Sequence, residues 1–382
     1  MTISRRKFAR LLGAGAAAAV ARPALSFART TTDESPVAFS GIVRLSSNEN
    51  PYGPSARALK AMNDAVPLAC RYPDEHADAL VESLAKINGV SRDQILLGDG
   101  SGEILKLAAD VFTGPLIKGK SATKGGALVV ADPTFEAILY HAQRNGAEIV
   151  KIPLTPKFAH DLGKMLAAVE NGLVYICNPN NPTASITPKN EVREFIAHAP
   201  NDTMILVDEA YYHYADSPEY ESVIPLVGEH PNLIVTRTFS KIYGMAGLRC
   251  GYCVAQNHAI ERLRERQAWD SANIMGIAAA RASLDDPDLV PKGRRLNAET
   301  RAFTVGELER MGYKTIPSQA NFIMFDAKRP VVPLIATLKQ HKVEVGRLFR
   351  SMPNHMRLTI GKKAEMEAFL AAFREIAVPA PA

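Results

Sequence analysis

The sequence predicts an α/β protein with a large domain, in which helices flank a mostly parallel sheet, and a smaller α+β domain. Apolar runs that suit strands alternate with helical stretches through the middle of the 382 residues. The runs are continuous in Val, Ile and Leu, which is typical of strands buried on both faces. After Pro287 the pattern changes to a long charged helix, which indicates the second domain.

The individual elements follow from these runs in chain order. Strands are predicted at 127–131, 148–152, 173–177, 204–207, 233–236 and 248–254, with helices at 102–112, 135–145, 162–170, 189–198 and 259–269. The C-terminal domain is predicted to hold a helix at 289–311, then strands at 321–325 and 356–360 with another helix between them. The predicted organisation is a leader (1–28), an N-terminal segment that packs with the small domain (29–70), a large ligand-binding domain (71–285) and the small domain (286–382).

The basic character of the chain resides in its first 28 residues. They contain five of the 45 Lys and Arg residues and no Asp or Glu. In the rest of the chain 40 basic residues balance 40 acidic residues, so its net charge is zero. This balance removes the main electrostatic support for a nucleic-acid partner. A hydrophobic share of 47% and a charged share of 22% exclude a disordered or fibrous protein.

The leader has the order of features found in export signals. A basic region precedes an apolar run at 11–21, and the small residues Ser26 and Ala28 follow, as a signal peptidase requires. Arg5 and Arg6, followed by Lys-Phe, resemble a twin-arginine signal, which is read by a receptor. The apolar run is too short to cross a hydrocarbon core of about 30 Å. We therefore expect a periplasmic or otherwise exported protein with no membrane span in its mature chain; the alternative is an unstructured basic N-terminus.

The four cysteines do not indicate a disulfide framework, because they are few and scattered. Cys250 and Cys253 have the spacing of half a metal site, but they lie in an apolar strand-like run. Positions three apart in a strand point to opposite faces, so two buried thiols are the better interpretation and no metal is expected.

Polar residues that a core would exclude follow three of the predicted strands. They occupy positions 178–183, 208–211 and 237–241, and Arg249 comes shortly after the last group. In an open α/β sheet the ligand site lies outside the carboxyl ends of the strands, so these groups can converge on one crevice. Each group alone fits a turn, a helix cap or a solvated lysine. Their joint occurrence in this order is what predicts a site.

A glycine-rich turn precedes the predicted helix at 102–112. Gly100, Ser101 and Gly102 place backbone N–H groups at the start of that helix, where its dipole favours an anion. The same residues also suit a plain turn between a strand and a helix. Glu103 stands where a dinucleotide fingerprint needs its last glycine, which makes a nicotinamide dehydrogenase a poor interpretation.

With these motifs, the chain resembles the fold-type I pyridoxal-phosphate-dependent aminotransferases, and most closely their histidinol-phosphate aminotransferase branch. Ser240-Lys241 with Gly247-Leu248-Arg249 and the upstream Asp208 is specific to the class, and the string Asn-Glu-Asn-Pro-Tyr-Gly-Pro at 48–54 points to the branch. Further matches are Arg71-Tyr72-Pro73, Gly98-Asp99-Gly100-Ser101, Asp132-Pro133-Thr134-Phe135 and the stretches 178–182 and 356–361. The resemblance implies a transaminase that binds pyridoxal 5'-phosphate in the domain at 71–285.

The resemblance also assigns catalytic roles. Lys241 is the amine that forms the Schiff base with the cofactor and moves the proton of the substrate Cα, and burial beside arginine lowers a lysine pKa in the way that this role requires. Asp208 pairs with the pyridine nitrogen and keeps it protonated, which makes the ring an electron sink. Asn181 and Tyr211 donate hydrogen bonds to the phenolate oxygen of the ring.

The remaining cofactor contacts follow from the same resemblance. Phe135 stacks on the ring face. The cofactor phosphate is held by Gly100, Ser101, Gly102, Thr238, Ser240 and Arg249, of which the arginine can bind it bidentately. Tyr72 reaches the phosphate from a neighbouring subunit, which implies a homodimer with shared active sites.

The substrate assignment remains open at this level. Arg357 matches the arginine that binds a substrate carboxylate, and Arg347 is either a second anion contact or a surface residue at a strand end. Positions 36–43 lack the Pro-Tyr-x-Pro-Gly stretch that the branch usually has, and 271–273 reads Ser-Ala-Asn where the branch has Pro-Tyr/Phe-Asn. We therefore expect transfer between a 2-oxo acid and a histidinol-phosphate-like, aromatic or other L-amino acid.

Two other classes of function are compatible with these residues. A racemase, decarboxylase or lyase would use the same cofactor and cleave a different bond at the substrate Cα. An exported binding protein for an amino acid or a vitamer would have no turnover, and Lys241 would then be dispensable.

Overall fold

The structure is a computed structural model that describes residues 41–115, 126–169 and 171–377. The predicted leader at 1–28 and the first part of the segment at 29–70 lie outside the described residues. Within the described ranges, no helix combines the length and the apolar character that crossing a membrane requires.

Strands and helices alternate along the described chain. The strands are β1 (Val43–Leu45), β2 (Ile95–Gly98), β3 (Ala127–Asp132), β4 (Ile149–Pro153), β5 (Gly172–Cys177), β6 (Thr203–Asp208), β7 (Leu233–Thr238), β8 (Gly251–Ala255), β9 (Phe322–Asp326), β10 (Val343–Val345) and β11 (His355–Thr359). The helices are α1 (Ala56–Ala65), α2 (Asp74–Asn88), α3 (Ser101–Phe112), α4 (Ala137–Arg144), α5 (Leu162–Ala168), α6 (Lys189–His198), α7 (Asn257–Arg264), α8 (Ile274–Leu284), α9 (Leu289–Arg310), α10 (Val331–Gln340) and α11 (Lys363–Ile376).

Seven strands form the central sheet, in the order β2-β8-β7-β6-β5-β3-β4. The five strands β7, β6, β5, β3 and β4 pair in parallel. At one edge of the sheet β8 pairs antiparallel with β7, and β2 pairs antiparallel with β8. Helices α1, α2, α5, α6 and α8 pack on one face, and α3, α4 and α7 pack on the other. The predicted α/β architecture is confirmed, and its two covered faces explain why the strands read as continuous apolar runs.

The C-terminal part has a hydrophobic core of its own. Helices α9, α10 and α11 pack on the antiparallel pair β9–β11 and on the parallel pair β1–β10. The segment before α1 therefore contributes a strand to this part, while α1 itself packs against α8. The predicted boundaries at residues 70 and 285 stay predictions.

Several predicted bounds were wrong for local physical reasons. Strand β8 begins at Gly251, three residues later than predicted, because Arg249 has a φ of 51° that extended backbone does not adopt. Helix α7 ends at Arg264 rather than at 269, and Trp269 beyond it is 95% exposed. Cys250 and Cys253 are buried free thiols in the cores on opposite faces of the sheet, as their spacing predicts.

Candidate active site

The carboxyl ends of β5, β6 and β7 open into one cavity of about 320 Å³. The sheet order makes these strands neighbours, so the residues that follow each of them meet there. Most of the residues predicted from sequence line this cavity: Ser101, Gly102, Phe135, Asn181, Asp208, Tyr211, Thr238, Ser240, Lys241, Arg249, Arg347 and Arg357. Gly100 lies directly before α3 at its rim, whereas Tyr72 lies elsewhere on the surface of this chain with 78% of its area exposed.

Lys241 presents a buried amine to the cavity. Its Nζ donates to the backbone oxygen of Asn48 over 3.2 Å and lies 5.6 Å from the ring centroid of Tyr211. Burial, reinforced by the nearby guanidinium of Arg357, lowers the pKa of this amine to about 8. The lowered pKa enlarges the neutral fraction of this lysine near physiological pH, and the neutral form is the one that a nucleophile or a base requires.

Asp208 ends β6 and points into the same cavity with only 3% of its area exposed. Its Oδ1 accepts from the backbone N–H of Ala210 over 3.0 Å, and its Oδ2 accepts from the hydroxyl of Tyr175 over 2.9 Å. Burial raises the pKa of this carboxyl to about 6, although both hydrogen bonds act in the opposite direction. A carboxylate held in this way favours a cationic partner inside the cavity.

Tyr211 places its hydroxyl between two asparagines. Its oxygen accepts from Asn48 Nδ2 over 3.0 Å and from Asn181 Nδ2 over 3.3 Å. Burial raises the pKa of this phenol, which keeps it protonated and able to donate its own proton to a ligand.

An anion-binding cup lies beside these groups, at the N-terminus of α3. The side chain of Arg249 extends to this helix start, and Thr238 donates its hydroxyl proton to Ser240 Oγ over 2.9 Å. Gly100 has a φ of 74°, and a Cβ there would lie 2.2 Å from Arg249 Nη2. Backbone amides, hydroxyls and a guanidinium therefore converge where the helix dipole favours a negative charge.

Arg357 on β11 faces the cavity from the C-terminal part. Its Nη1 donates to Asn181 Oδ1 over 2.7 Å, and its Nη2 donates to the backbone oxygen of Ser46 over 2.6 Å. Its buried Nε has no hydrogen-bond partner within the part of the chain that the structure describes. Burial lowers the pKa of this guanidinium. The two bonded Nη atoms fix the plane of the guanidinium at the cavity, which pre-positions this side chain for an anion.

Arg347 lies at the mouth of the cavity and is already paired. Its Nη2 donates to Glu136 Oε2 over 2.5 Å, and its guanidinium carbon lies 4.5 Å from the ring centroid of Phe349. The sequence left open whether Arg347 is a second anion contact or a surface residue at a strand end. The structure is compatible with both, because Arg347 lines the cavity and its side chain is half exposed at the cavity edge.

Sequence reasoning assigned no role to three residues of this site. Tyr175 lies inside an apolar strand run and is indistinguishable there from a core residue. Glu136 contacts Arg347 across 211 positions, a separation that no local pattern reveals. Asn48 was also given no role, but the sequence did carry a signal for it, because it opens the quoted string at 48–54. Its left-handed φ of 55° suits asparagine.

Comparison with known proteins identifies the family. The model of the aminotransferases of class I and II matches residues 40–373. The chain is 37% identical to the histidinol-phosphate aminotransferase of Moorella thermoacetica, over 88% of this chain and 85% of that protein. It is 36% identical to that of Symbiobacterium thermophilum, over 87% and 90% of the two chains. The structure of histidinol-phosphate aminotransferase from Sinorhizobium meliloti in complex with pyridoxal-5'-phosphate superposes with a TM-score of 0.79, at 28% identity over 87% of this chain and 90% of that one. The chain belongs to the class I and II aminotransferase family.

Proposed function

We propose that this protein transfers an amino group between an amino acid and a 2-oxo acid, with pyridoxal 5'-phosphate as its cofactor. The observation that carries this proposal is that Lys241 and Asp208, a buried amine and a buried carboxylate, line one cavity beside an anion-binding cup. Membership of the aminotransferase family supports the reaction type.

The donors of the cavity match the polar groups of this cofactor. The cup formed by the start of α3, Thr238, Ser240 and Arg249 would hold the phosphate, and Gly100 leaves the space that a Cβ would fill. Asp208 would hold the protonated ring nitrogen. Asn181 and Tyr211 would hold the ring oxygen, and Phe135 would cover a ring face.

The chemistry divides between the cofactor and the chain. When bound, the protonated pyridine ring withdraws the electrons that remain at the substrate Cα after its proton leaves. Lys241 would hold the cofactor covalently through Nζ, and the same Nζ, when free, would accept the proton of the substrate Cα and later return it. Its pKa of about 8 suits both directions of that transfer.

The substrate is proposed to be oriented by Arg357. Its guanidinium, fixed in plane by Asn181 and Ser46, would receive the anionic group of the amino donor and then that of the acceptor. The relatives named above are histidinol-phosphate aminotransferases, so a histidinol-phosphate-like or aromatic L-amino acid is the proposed donor class.

The test begins with the purified protein and added pyridoxal 5'-phosphate. Borohydride reduction should fix the cofactor mass on the peptide that contains Lys241, whereas K241A should not be labelled and K339A, at an exposed lysine on α10, should be labelled normally. Amino acids labelled with ¹⁵N are then supplied with 2-oxo acids. Appearance of ¹⁵N in a new amino acid supports transamination. If the donor is instead racemised, loses CO₂ or undergoes elimination, the protein is a racemase, a decarboxylase or a lyase. If no amino acid is turned over, a binding protein is favoured.

We propose in addition that two copies associate and that Tyr72 completes the partner's site. Its ring is 78% exposed on the single chain, which suits a residue that a second copy covers. Mixing inactive Y72A with inactive K241A should restore partial activity through hybrid dimers. A monomer in solution, or mixtures that remain inactive, would refute this.

We also propose export through the signal at 1–28. The support is the paired Arg5 and Arg6 before the apolar run at 11–21. The variant R5K/R6K should retain the protein in the cytoplasm of a host with a twin-arginine system. Unchanged export would refute the route.

A further inference from the structure

We propose that Asn48 is a positioning residue that aims the hydroxyl proton of Tyr211 into the active-site cavity, toward the ring oxygen of the cofactor. This inference rests on the proposed function, in which Tyr211 and Asn181 hold that oxygen. Asn48 acts through the tyrosine, and its own side-chain amide makes no contact with the ring.

The hydroxyl of Tyr211 has one proton to donate and lone pairs that accept. Asn48 Nδ2 donates to its oxygen over 3.0 Å, and Asn181 Nδ2 donates to it over 3.3 Å. Because an amide nitrogen does not accept, the hydroxyl proton has to point away from both asparagines. No group in the described ranges accepts that proton, and Tyr211 lines the cavity, so a ligand in the cavity is its acceptor.

The orientation of the Asn48 amide is fixed by Thr359 at the end of β11. Thr359 Oγ1 donates to Asn48 Oδ1 over 3.2 Å and accepts from the backbone N–H of Asn48 over 2.9 Å. Both residues are almost fully buried. The amide oxygen is therefore held by the threonine, and the amide nitrogen is turned toward Tyr211. A flipped amide would present an acceptor to the tyrosine and draw its proton out of the cavity.

The backbone of Asn48 is held where this side chain reaches the tyrosine. Its φ of 55° lies in the left-handed region, which asparagine adopts more readily than most residues. Its backbone oxygen accepts from Asn321 Nδ2 over 3.0 Å and from Lys241 Nζ over 3.2 Å. Asn321 and Thr359 both belong to the C-terminal part, so Asn48 connects that part to the phenol and to the amine of the site.

Donation from Asn48 also strengthens the bond that Tyr211 offers. Burial raises the pKa of this phenol, and the hydrogen bond from Asn48 acts in the opposite direction. Hydrogen bonds in a chain polarise one another, so an oxygen that accepts from an amide donates its own proton more strongly. Asn48 therefore directs the proton and makes it a better donor to the ring oxygen.

The experiment reverses the polarity of this contact in N48D. Aspartate tolerates the left-handed backbone and keeps the shape of the side chain, but it presents a carboxylate oxygen that accepts the proton of Tyr211. The apoprotein is titrated with pyridoxal 5'-phosphate and with 3-deoxypyridoxal 5'-phosphate, which lacks the ring oxygen. Since both ligands carry the same phosphate and ring nitrogen, the ratio of their dissociation constants cancels the effect of the added charge. The preference for pyridoxal 5'-phosphate should fall about tenfold in N48D, as loss of a hydrogen bond to a charged group predicts.

Three further variants complete the test. Y211F should lower the same preference, and adding N48D to it should cause no further fall, because Asn48 acts through the hydroxyl. T359V leaves Asn48 in place but removes the group that orients its amide, so it should reproduce part of the fall. The matched control is N232D, at a buried asparagine before the start of β7, and it should keep the preference of the wild type.

These outcomes are separable from those of the proposed function. Borohydride labelling of Lys241 in the wild type reports whether the cofactor is held as proposed. With that labelling intact, an unchanged preference in folded N48D and in T359V would overturn the role of Asn48. An equal fall on adding N48D to Y211F and to the wild type would also overturn it, since the effect would then bypass the tyrosine.

Discussion

The hydroxyl of the fully buried Tyr175 donates to Oδ2 of Asp208, which lines the cavity, over 2.9 Å. Cys177 pairs in register with Asp208, and Tyr175 lies two residues earlier on the same face of β5. The tyrosine therefore fixes the carboxylate from below and leaves its cavity side free. We interpret it as a positioning residue for Asp208.

Replacing this tyrosine should weaken cofactor binding. In Y175F the carboxylate of Asp208 loses a donor, so its pKa rises further above about 6 and its charged form is less available near neutral pH. We expect about tenfold weaker binding of pyridoxal 5'-phosphate by the apoprotein, as loss of a hydrogen bond to a charged group predicts. Fluorescence titration at several pH values measures this, with the largest loss on the acid side. The control is Y313F at a buried tyrosine of the C-terminal core. Equal affinities in Y175F and wild type would contradict the positioning role.

Asp208 should reduce the stability of the apoprotein at every pH above about 6. Because burial raises its pKa from 3.8 to about 6, the folded state binds the proton more tightly than the unfolded chain does. Stability is therefore lost as the pH rises from about 4 to about 6. D208N should raise the free energy of unfolding by about 3 kcal/mol at pH 8, with the advantage shrinking toward pH 4, while cofactor binding is lost. Urea unfolding of the wild-type and D208N apoproteins at pH 4 and pH 8 measures this difference in stability. A variant less stable at pH 8 would contradict the expectation.

Capture of the cofactor should depend on the ionisation of Lys241. Only the neutral amine attacks, and a pKa lowered to about 8 leaves roughly a tenth of the lysine neutral at pH 7. The rate of covalent attachment to the apoprotein should rise through pH 8 and level off above it. Stopped-flow absorbance between pH 6 and 10 follows this step. A rate that still climbs steeply at pH 10 would show an amine with an ordinary pKa.

The sheet and the main site residues were predictable because their signals are local. Strands β3 to β7 read as continuous apolar runs, and Asp208 and Lys241 interrupt that pattern at strand ends. Strand β2 was not predicted, because its four residues give no periodicity and its pairing with β8 is antiparallel at the sheet edge.

Contacts between distant segments were beyond the reach of sequence patterns. Glu136 resembles any exposed residue near a helix start until the fold brings Arg347 to it. Tyr175 has the burial and neighbours of a core residue, and only the position of its hydroxyl distinguishes it. Both depend on tertiary packing, which no local propensity encodes.

Gly100 should be required for cofactor binding and not for folding. A Cβ at this position would lie 2.2 Å from Arg249 Nη2 and would displace the guanidinium from the cup. In G100A we expect binding of pyridoxal 5'-phosphate to weaken by about tenfold or more, since strain and displacement each cost about 1 kcal/mol or more. The control is G89A, because Gly89 shares the positive φ of 67° but a Cβ there meets no neighbouring atom within 4 Å among the described residues. If both variants bind the cofactor equally, the clash has no functional consequence.

The buried ion pair of Glu209 and Arg237 should stabilise the two strand ends that carry the active-site residues. Glu209 follows Asp208 and Arg237 precedes Thr238, so this pair joins the ends of β6 and β7 behind the cavity. Arg237 Nε donates to Glu209 Oε2 over 2.9 Å, and its guanidinium carbon lies 3.8 Å from the ring centroid of Tyr212.

Removing one partner of this pair should be more harmful than removing both. R237M leaves the carboxylate of Glu209 buried at 1% exposure without its cation, which should lower the free energy of unfolding by about 3–5 kcal/mol. E209Q/R237M removes the stranded charge and should recover a large part of that loss. Urea unfolding of the wild type, both single variants and the double variant measures the coupling. Additive effects would mean that the two side chains contribute independently, and the strand ends would then be held by their backbone pairing alone.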